Sequence, residues 1–490
     1  MNTTAVALTI GAYIILLFIV AWLPARRADN ESFFTGNRLS TWYMAAMAMI
    51  GAAMSGVTFI SVPGSVASDS FSYMQMVAGF TIGQLVIAFV LVPLFYRLRV
   101  VSIYEYFHTR FGENSHKTGA AIFLVAKSLN AALKIFVVCT VTQYLLFDAW
   151  GVPLWANVAF TLFLVWLYTA RGGVRSLIWT DSLHTICLIA GILLSAWFIM
   201  RQMDIDIMQT FSLIRDSDYS RIIFLDDPSS ERYFWKMFFA GIFTLIAMTG
   251  LDQDMMQRNL SCRTKRDAQI NIVITAVCQA VVILLLLSLG ALLYIYSSAQ
   301  GIALPHSSDA VFPAVAVNGG LPSAAGVVFL LGLIASTWSS AGSSLTSLTT
   351  SLTLDILPQS RAMSDKQLTR RRKTVHLLLS VVLCGVVLLF DRLSDDSAIN
   401  LVFKIVSYAY GPLLGMFCFG MFTRRKLRDR AIWIIAIAAP TICAVAQWWF
   451  AEHHSYYIGF ELLIYNALLT ALGMWICSRQ VSRAEGEKEI

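Results

Sequence analysis

The sequence predicts an all-α polytopic membrane protein with about thirteen transmembrane helices. Three observations predict it. Of 490 residues, 57% are hydrophobic and only 13% charged, with a mean hydropathy of +0.68. Soluble domains carry about 45–50% apolar and about 25% charged residues. The apolar residues gather into runs of about twenty, the length a helix needs to cross a hydrocarbon core. The loops between the runs alternate between many and few positive charges. A soluble enzyme, a disordered regulator and a free nucleic-acid-binding protein are excluded. The net charge of +7 reads as an excess on cytoplasmic loops and not as a nucleic-acid surface.

The first run, near 5–23, has no Lys or Arg before it and is followed by Arg26 and Arg27. It is longer than the apolar region of a signal peptide, so a retained helix with its N-terminus outside is expected. Further spans are expected near 41–67, 74–96, 118–147, 153–170, 177–200, 236–257, 269–297, 324–353, 374–391, 398–422, 431–450 and 458–477. With the N-terminus outside, 27 Lys and Arg fall on inner segments, from Arg26, Arg27 and Arg38 through Arg361 to Arg479, Arg483 and Lys488. Only six fall outside: Arg201, Arg215, Arg221, Arg232, Lys236 and Arg392. This predicts a multi-pass protein of the plasma or inner membrane with a cytoplasmic C-terminus.

The longest outer segments, roughly 201–235 and 298–323, are too short to be separate domains. Residues 1–490 therefore read as one transmembrane transporter-like domain. It has an extra helix at 5–23, two core sets at about 41–200 and 236–422, and C-terminal helices across 431–477. The short charged tail from Arg479 to Ile490 leaves no room for an attached output module. Seven of the eight cysteines lie in apolar stretches and Cys262 in a basic loop, with no C-x-x-C, so neither a disulfide framework nor a zinc site is expected.

Two segments invite a broken helix, the device by which transporters expose backbone at the midplane. The first is Gly51-Ala52-Ala53-Met54-Ser55-Gly56 in span two, and the second is Met248-Thr249-Gly250-Leu251-Asp252 in span seven. They open the two five-helix sets at corresponding positions, which points to an inverted repeat. Packing of helices through small residues is the competing explanation.

Span nine carries Ser336, Ser339, Ser340, Ser343 and Ser347 at i, i+3, i+4, i+7 and i+11. This hydroxyl stripe without a carboxylate suits weak binding of a small alkali cation. Ionisable groups inside spans mark function by default. Lys127 and Lys134 share a face of span four. Lys127 is placed to snorkel to the cytoplasmic interface. The deeper Lys134 suits either an anionic substrate or an internal ion pair. Asp254 can pair with Arg258 at i+4. No metal-binding His pattern, phosphate loop or Ser-hydrolase constellation occurs, so no enzyme is expected.

Tyr168-Thr169-Ala170-Arg171-Gly172-Gly173-Val174 with Ile178-Trp179-Thr180-Asp181 resembles the signature of the sodium:solute symporter family. So do Gly411-Pro412-Leu413-Leu414-Gly415 with Gly420 and Arg424-Arg425, the run Ser102 to Tyr106 before Arg110-Phe111, and Asp254 to Arg258. Ser55-Gly56-Val57-Thr58-Phe59-Ile60-Ser61-Val62-Pro63 is most similar to the sialic acid and monocarboxylate branch.

The resemblance implies a LeuT-type fold of two inverted five-helix repeats and Na+ as the coupling ion. It also implies alternating access for a small solute, with a lipid bilayer, no nucleic acid and no obligate protein partner. Carried over, the sodium ligands are Gly51, Met54, Ser336, Ser339 and Ser340. A second sodium would use Asp181 and Ser343, but Gly342 replaces an expected serine, and one sodium is expected. The substrate set is Ser55, Thr58, Tyr73, Gln75, Lys134 and Phe243. An organic acid is the expected solute. A neutral sugar or amino acid, or a transporter-like sensor, are the alternatives.

Overall fold

The structure is a computed structural model that describes residues 3–26, 28–358, 363–393, 398–454 and 458–480. Arg27, Arg361, Arg483 and Lys488 of the charge count lie outside the described residues. An N-terminal helix α1 (Thr3–Ala25) precedes a broken pair, α2 (Trp42–Ala53) and α3 (Gly56–Gly64). Then come α4 (Tyr73–Leu98), α5 (Glu113–Thr142), α6 (Leu154–Gly172) and α7 (Val174–Met203). A second broken pair follows, α8 (Phe234–Gly250) and α9 (Gln253–Leu260). It leads into α10 (Lys265–Ala299), α11 (Ser323–Ile356), α12 (Asp365–Leu393) and α13 (Ala398–Phe422). Helices α14 (Ile432–His454) and α15 (Leu462–Ile476) end the bundle.

Among the described residues, nine helices are long and apolar enough to span a bilayer, and eleven if each bent pair is one span. The shorter apolar helices α6 and α15 bring the count to the expected thirteen. The two broken pairs bend by 59° and 65°, and each opens a five-span set, α2–α7 and α8–α13. The molecule is thus a LeuT-type bundle of two inverted repeats. Its outward-facing side chains are apolar (Ile15 and Ile19 on α1, Ile434 and Ile437 on α14), as a lipid-facing surface requires.

Chemistry local to each break explains it. At the first, Met54 N–H closes the last helical bond to the Ile50 carbonyl (2.9 Å), and the ladder resumes only with Phe59 N–H on the Ser55 carbonyl (3.0 Å). Met54 has ψ 89°, outside the helical well, and Ser55 caps α3 through its hydroxyl. Position 56 tolerates only glycine, because a Cβ there would stand 2.0 Å from Thr337 Oγ1 of α11. At the second break, α8 widens to a π turn over Ile246–Gly250. Asp252 then caps α9, accepting from Asp254 N–H at 2.8 Å.

Several details depart from the sequence reading. The outer segments 201–235 and 298–323 hold helices that no sequence expectation placed there, Ile207–Arg215 and Val311–Asn318. A capping box between Asp206 and Gln209 starts the first. Helix α12 begins at Asp365, ahead of the expected 374, because the Arg370–Lys373 run is helical; Arg372 of that run is buried over the Phe33 ring at 4.1 Å. A two-residue antiparallel pair, β1 (Lys426–Leu427) and β2 (Ser478–Arg479), ties the end of α13 to the end of α15. Cys262 is fully buried where the start of α2 meets the end of α9 (Arg263 N–H donates to the Ser40 carbonyl, 3.1 Å).

Candidate functional site

The first break borders a cavity of about 100 Å³ that both broken helices help to line. Ser55 and Thr58 line it from α3, Tyr73 and Phe80 from α4, and Lys127, Asn130 and Lys134 from α5. Thr244, Met248 and Thr249 close it from α8, and Asp252 and Met255 from the second break. Both broken helices therefore contribute to one site. The i, i+3, i+7 spacing of Lys127, Asn130 and Lys134 puts them on one stripe of α5. The Asn130 Oδ1 is buried and accepts no hydrogen bond.

Beside the cavity runs a chain of buried charges. Lys127 Nζ lies 3.1 Å from Asp252 Oδ2 and 2.8 Å from Asp254 Oδ2. Asp254 Oδ1 accepts from Arg258 Nη1 at 2.5 Å, and Arg258 Nη2 donates to Asp181 Oδ2 at 2.8 Å. Asp181 Oδ1 in turn accepts from Ser339 Oγ at 2.7 Å, and Tyr410 donates its hydroxyl to Asp252 Oδ2 at 2.6 Å. Each charge is paired and hydrogen-bonded, the condition under which buried ions persist.

Two expectations are corrected here. Lys127 does not snorkel: it is 5% exposed and held by two carboxylates, because Asp252 approaches from the other repeat. The serine stripe is not free of carboxylates, since Asp181 accepts from Ser339, and Ser343 Oγ donates to Asp254 Oδ2 (3.3 Å). The pairing of Asp254 with Arg258 at i+4 is present.

The candidate sodium ligands fall into two groups, one at the first break and one on α11. The ladder gap releases the carbonyls from Gly51 to Met54 from helical hydrogen bonding. Gly51 packs on α7, where a Cβ would lie 2.7 Å from the Asp181 carbonyl oxygen. Gly56 packs on α11 at Thr337. The broken segment thus packs against both α7 and the serine helix. All the stripe serines are buried. Ser336 Oγ donates to the Leu333 carbonyl (2.9 Å), and Ser340 Oγ accepts from Lys134 Nζ (3.3 Å). Carbonyl and hydroxyl oxygens are the hard donors an alkali cation needs.

For the second cation set, Asp181 is engaged by Arg258 and Ser339, while Ser343 turns to Asp254. Position 342 leaves no space for a serine: a Cβ there would stand 2.0 Å from the Tyr168 hydroxyl, which donates to the Trp338 carbonyl (2.7 Å).

Of the substrate candidates, Ser55, Thr58, Tyr73 and Lys134 line the cavity. Gln75 and Phe243 do not. Gln75 instead braces the 201–235 segment, donating to the Arg232 carbonyl (3.0 Å) and accepting from Phe224 N–H (3.0 Å). The neighbour of Phe243, Thr244, takes the cavity-facing position. Asn130 was missed, although its place between two lysines on one helix face was visible in the sequence.

Paired broken helices that contribute to one cavity are an architecture of inverted-repeat membrane transporters. The model of the sodium:solute symporter family matches residues 33–437, and the chain belongs to that family. Similar curated proteins include sodium-coupled transporters. The human sodium/iodide cotransporter is 25% identical over 84% of this chain and 65% of its own. The rabbit (Oryctolagus cuniculus) sodium-dependent multivitamin transporter is 25% identical over 77% of this chain and 59% of its own. The Xenopus laevis sodium-coupled monocarboxylate transporter 1 is 24% identical over 85% of this chain and 67% of its own. The chain thus spans between 59% and 67% of the length of these relatives. Among solved structures, a Na+-coupled sialic acid symporter in a substrate-bound outward-open state superposes with TM-score 0.82 at 17% identity, covering 97% of this chain and 99% of that one. A nucleobase-cation-symport-1 family transporter in a closed conformation gives TM-score 0.54 at 14% identity, covering 93% of this chain and 98% of that one.

Proposed function

We propose that the protein couples the entry of one sodium ion to that of a small organic acid by alternating access. The observation that carries this reading is the first break, which leaves the carbonyls from Gly51 to Met54 out of the helical ladder, packs on α7 at Gly51 and on α11 at Gly56, and borders the cavity through Ala52, Ala53 and Ser55. Sodium bridging Gly51 and Met54 to Ser336, Ser339 and Ser340 would tie the first repeat to the second. That would fix the wall of the substrate cavity, so ion and substrate stabilise each other reciprocally.

Charge balance supports an acid over a neutral solute. Three carboxylates (Asp181, Asp252, Asp254) and three cations (Lys127, Lys134, Arg258) surround the site. One sodium adds a positive charge and one carboxylate removes it, so the loaded core is neutral. Lys134 is the natural partner of that carboxylate, with Ser55, Thr58 and Tyr73 around it. The cavity lies well below the about 300–1,000 Å³ of drug-sized pockets. This favours a short acid over a sugar acid such as sialic acid, which would require the cavity to open. The neutral-solute reading leaves Lys134 structural.

The crowding of position 342 by Tyr168 and the engagement of Asp181 by Arg258 support a single sodium. The charge asymmetry of the loops supports an N-terminus outside and a C-terminus in the cytoplasm. Uptake into proteoliposomes under an imposed sodium gradient tests the reading. Ser339→Ala and Ser340→Ala are expected to raise the sodium concentration for half-maximal uptake by about tenfold, the size of one lost ligand contact of 1.4 kcal/mol. An unchanged sodium requirement in folded variants would refute the ion assignment.

A further inference from the structure

Lys134 differs from the other buried cations of the core. Lys127 and Arg258 are each held by two carboxylates. Lys134 Nζ donates instead to a hydroxyl, Ser340 Oγ, at 3.3 Å, and among the described residues no carboxylate pairs with it. Its ammonium therefore stands at the seam between two sites, because its side chain lines the substrate cavity while its acceptor belongs to the serine helix. A second acceptor lies within its reach on the same helix face. Asn130, at i−4, lines the same cavity, and its buried Oδ1 accepts no hydrogen bond.

We infer that Lys134 is a tethered cation that holds the sodium site at Ser340 until an anionic substrate draws it into the cavity. The inference rests on the sodium reading above and specifies how ion and substrate are coupled. An ammonium donating to Ser340 Oγ places a positive charge against the lone pairs that sodium needs, so the two cations compete for one oxygen. A carboxylate entering the cavity takes the ammonium. The side chain swings from Ser340 to the substrate and Asn130 Oδ1, and the Ser340 hydroxyl turns its lone pairs to sodium. Substrate thereby strengthens sodium binding, and sodium, by expelling the ammonium from Ser340, presents it to the substrate. A neutral solute cannot work this exchange, so the device also sets selectivity for acids.

The test is equilibrium binding of radioactive sodium to the detergent-purified full chain without any substrate, at constant ionic strength kept by potassium. Lys134→Met and Lys134→Gln, two variants of different polarity in case one fails to fold, are expected to bind sodium about tenfold more tightly than wild type, within the range of allosteric couplings. Lys134→Arg retains the charge and is expected to bind no more tightly than wild type. In a Ser340→Ala background the Lys134→Met replacement is expected to change sodium affinity much less, because the shared acceptor is gone. A role of Lys134 in packing alone would not give that dependence. If wild type binds sodium and the Met and Gln variants bind it equally or more weakly, the exchange is overturned while the sodium reading stands. If no form distinguishes sodium from potassium, both are overturned.

Discussion

Arg258 is the residue on which the buried charges converge. It is 2% exposed and bridges Asp254 on its own helix to Asp181 on α7. Removing one member of a buried pair leaves an uncompensated charge, at a cost of about 3–5 kcal/mol. Arg258→Met leaves Asp181 without a cation and Asp254 with Lys127 alone, and it is expected to lower thermal stability by about that amount, measured by the unfolding of the purified protein. A loss no larger than that of an exposed arginine such as Arg215→Met would contradict the pairing. At this scale the sequence was informative for i, i+4 partners and silent on the rest. The Asp254–Arg258 pair could be read directly, whereas the Lys127–Asp252 pair spans 125 positions. Lys127 therefore looked like a snorkelling residue, although it links Asp252 to Asp254 inside a buried network.

Helices meet most closely where the sequence places small residues, and the seam between α6 and α11 shows what this closeness selects. The Tyr168 hydroxyl fills the space above Gly342 and bonds the Trp338 carbonyl. Gly342→Ser is expected to abolish folded protein, judged by monodispersity after extraction. Adding Tyr168→Phe, which removes the clashing oxygen, is expected to restore part of it. Equal failure of both variants would show that the obstruction lies elsewhere. The breaks were legible in the sequence because glycine, alanine and serine replace bulky residues at Gly51–Gly56, and because Gly250 precedes a capping aspartate. What could not be read was the rotation of each helix. One residue of phase put Thr244 at the cavity instead of Phe243. At Gln75 the side chain points to the 201–235 segment. Hydrophobic periodicity carries little such information in a membrane, since lipid-facing and core-facing positions are both apolar.

For the whole molecule, the thirteen spans followed from run length and charge alternation, which reflect bilayer thickness and topology alone, and the two repeats from the matching breaks that open them. The same alternation predicts which face lies outside. In intact cells a membrane-impermeant thiol reagent is expected to label Ser229→Cys, on the sparsely charged side, and to leave Ser364→Cys, just before α12 and its basic first turns, unlabelled. The reverse pattern would invert the topology. The account as a whole stands on the link between sodium at the first break and an acid in the cavity beside it. The most direct measurement is the thermal stabilisation of the purified protein by a panel of short monocarboxylates, sialic acids, neutral sugars and amino acids, each in sodium and in potassium. The account predicts that an organic acid raises the unfolding temperature in sodium and does so little or not at all in potassium. Stabilisation by a neutral sugar or amino acid instead, or by an acid equally in both salts, would contradict it.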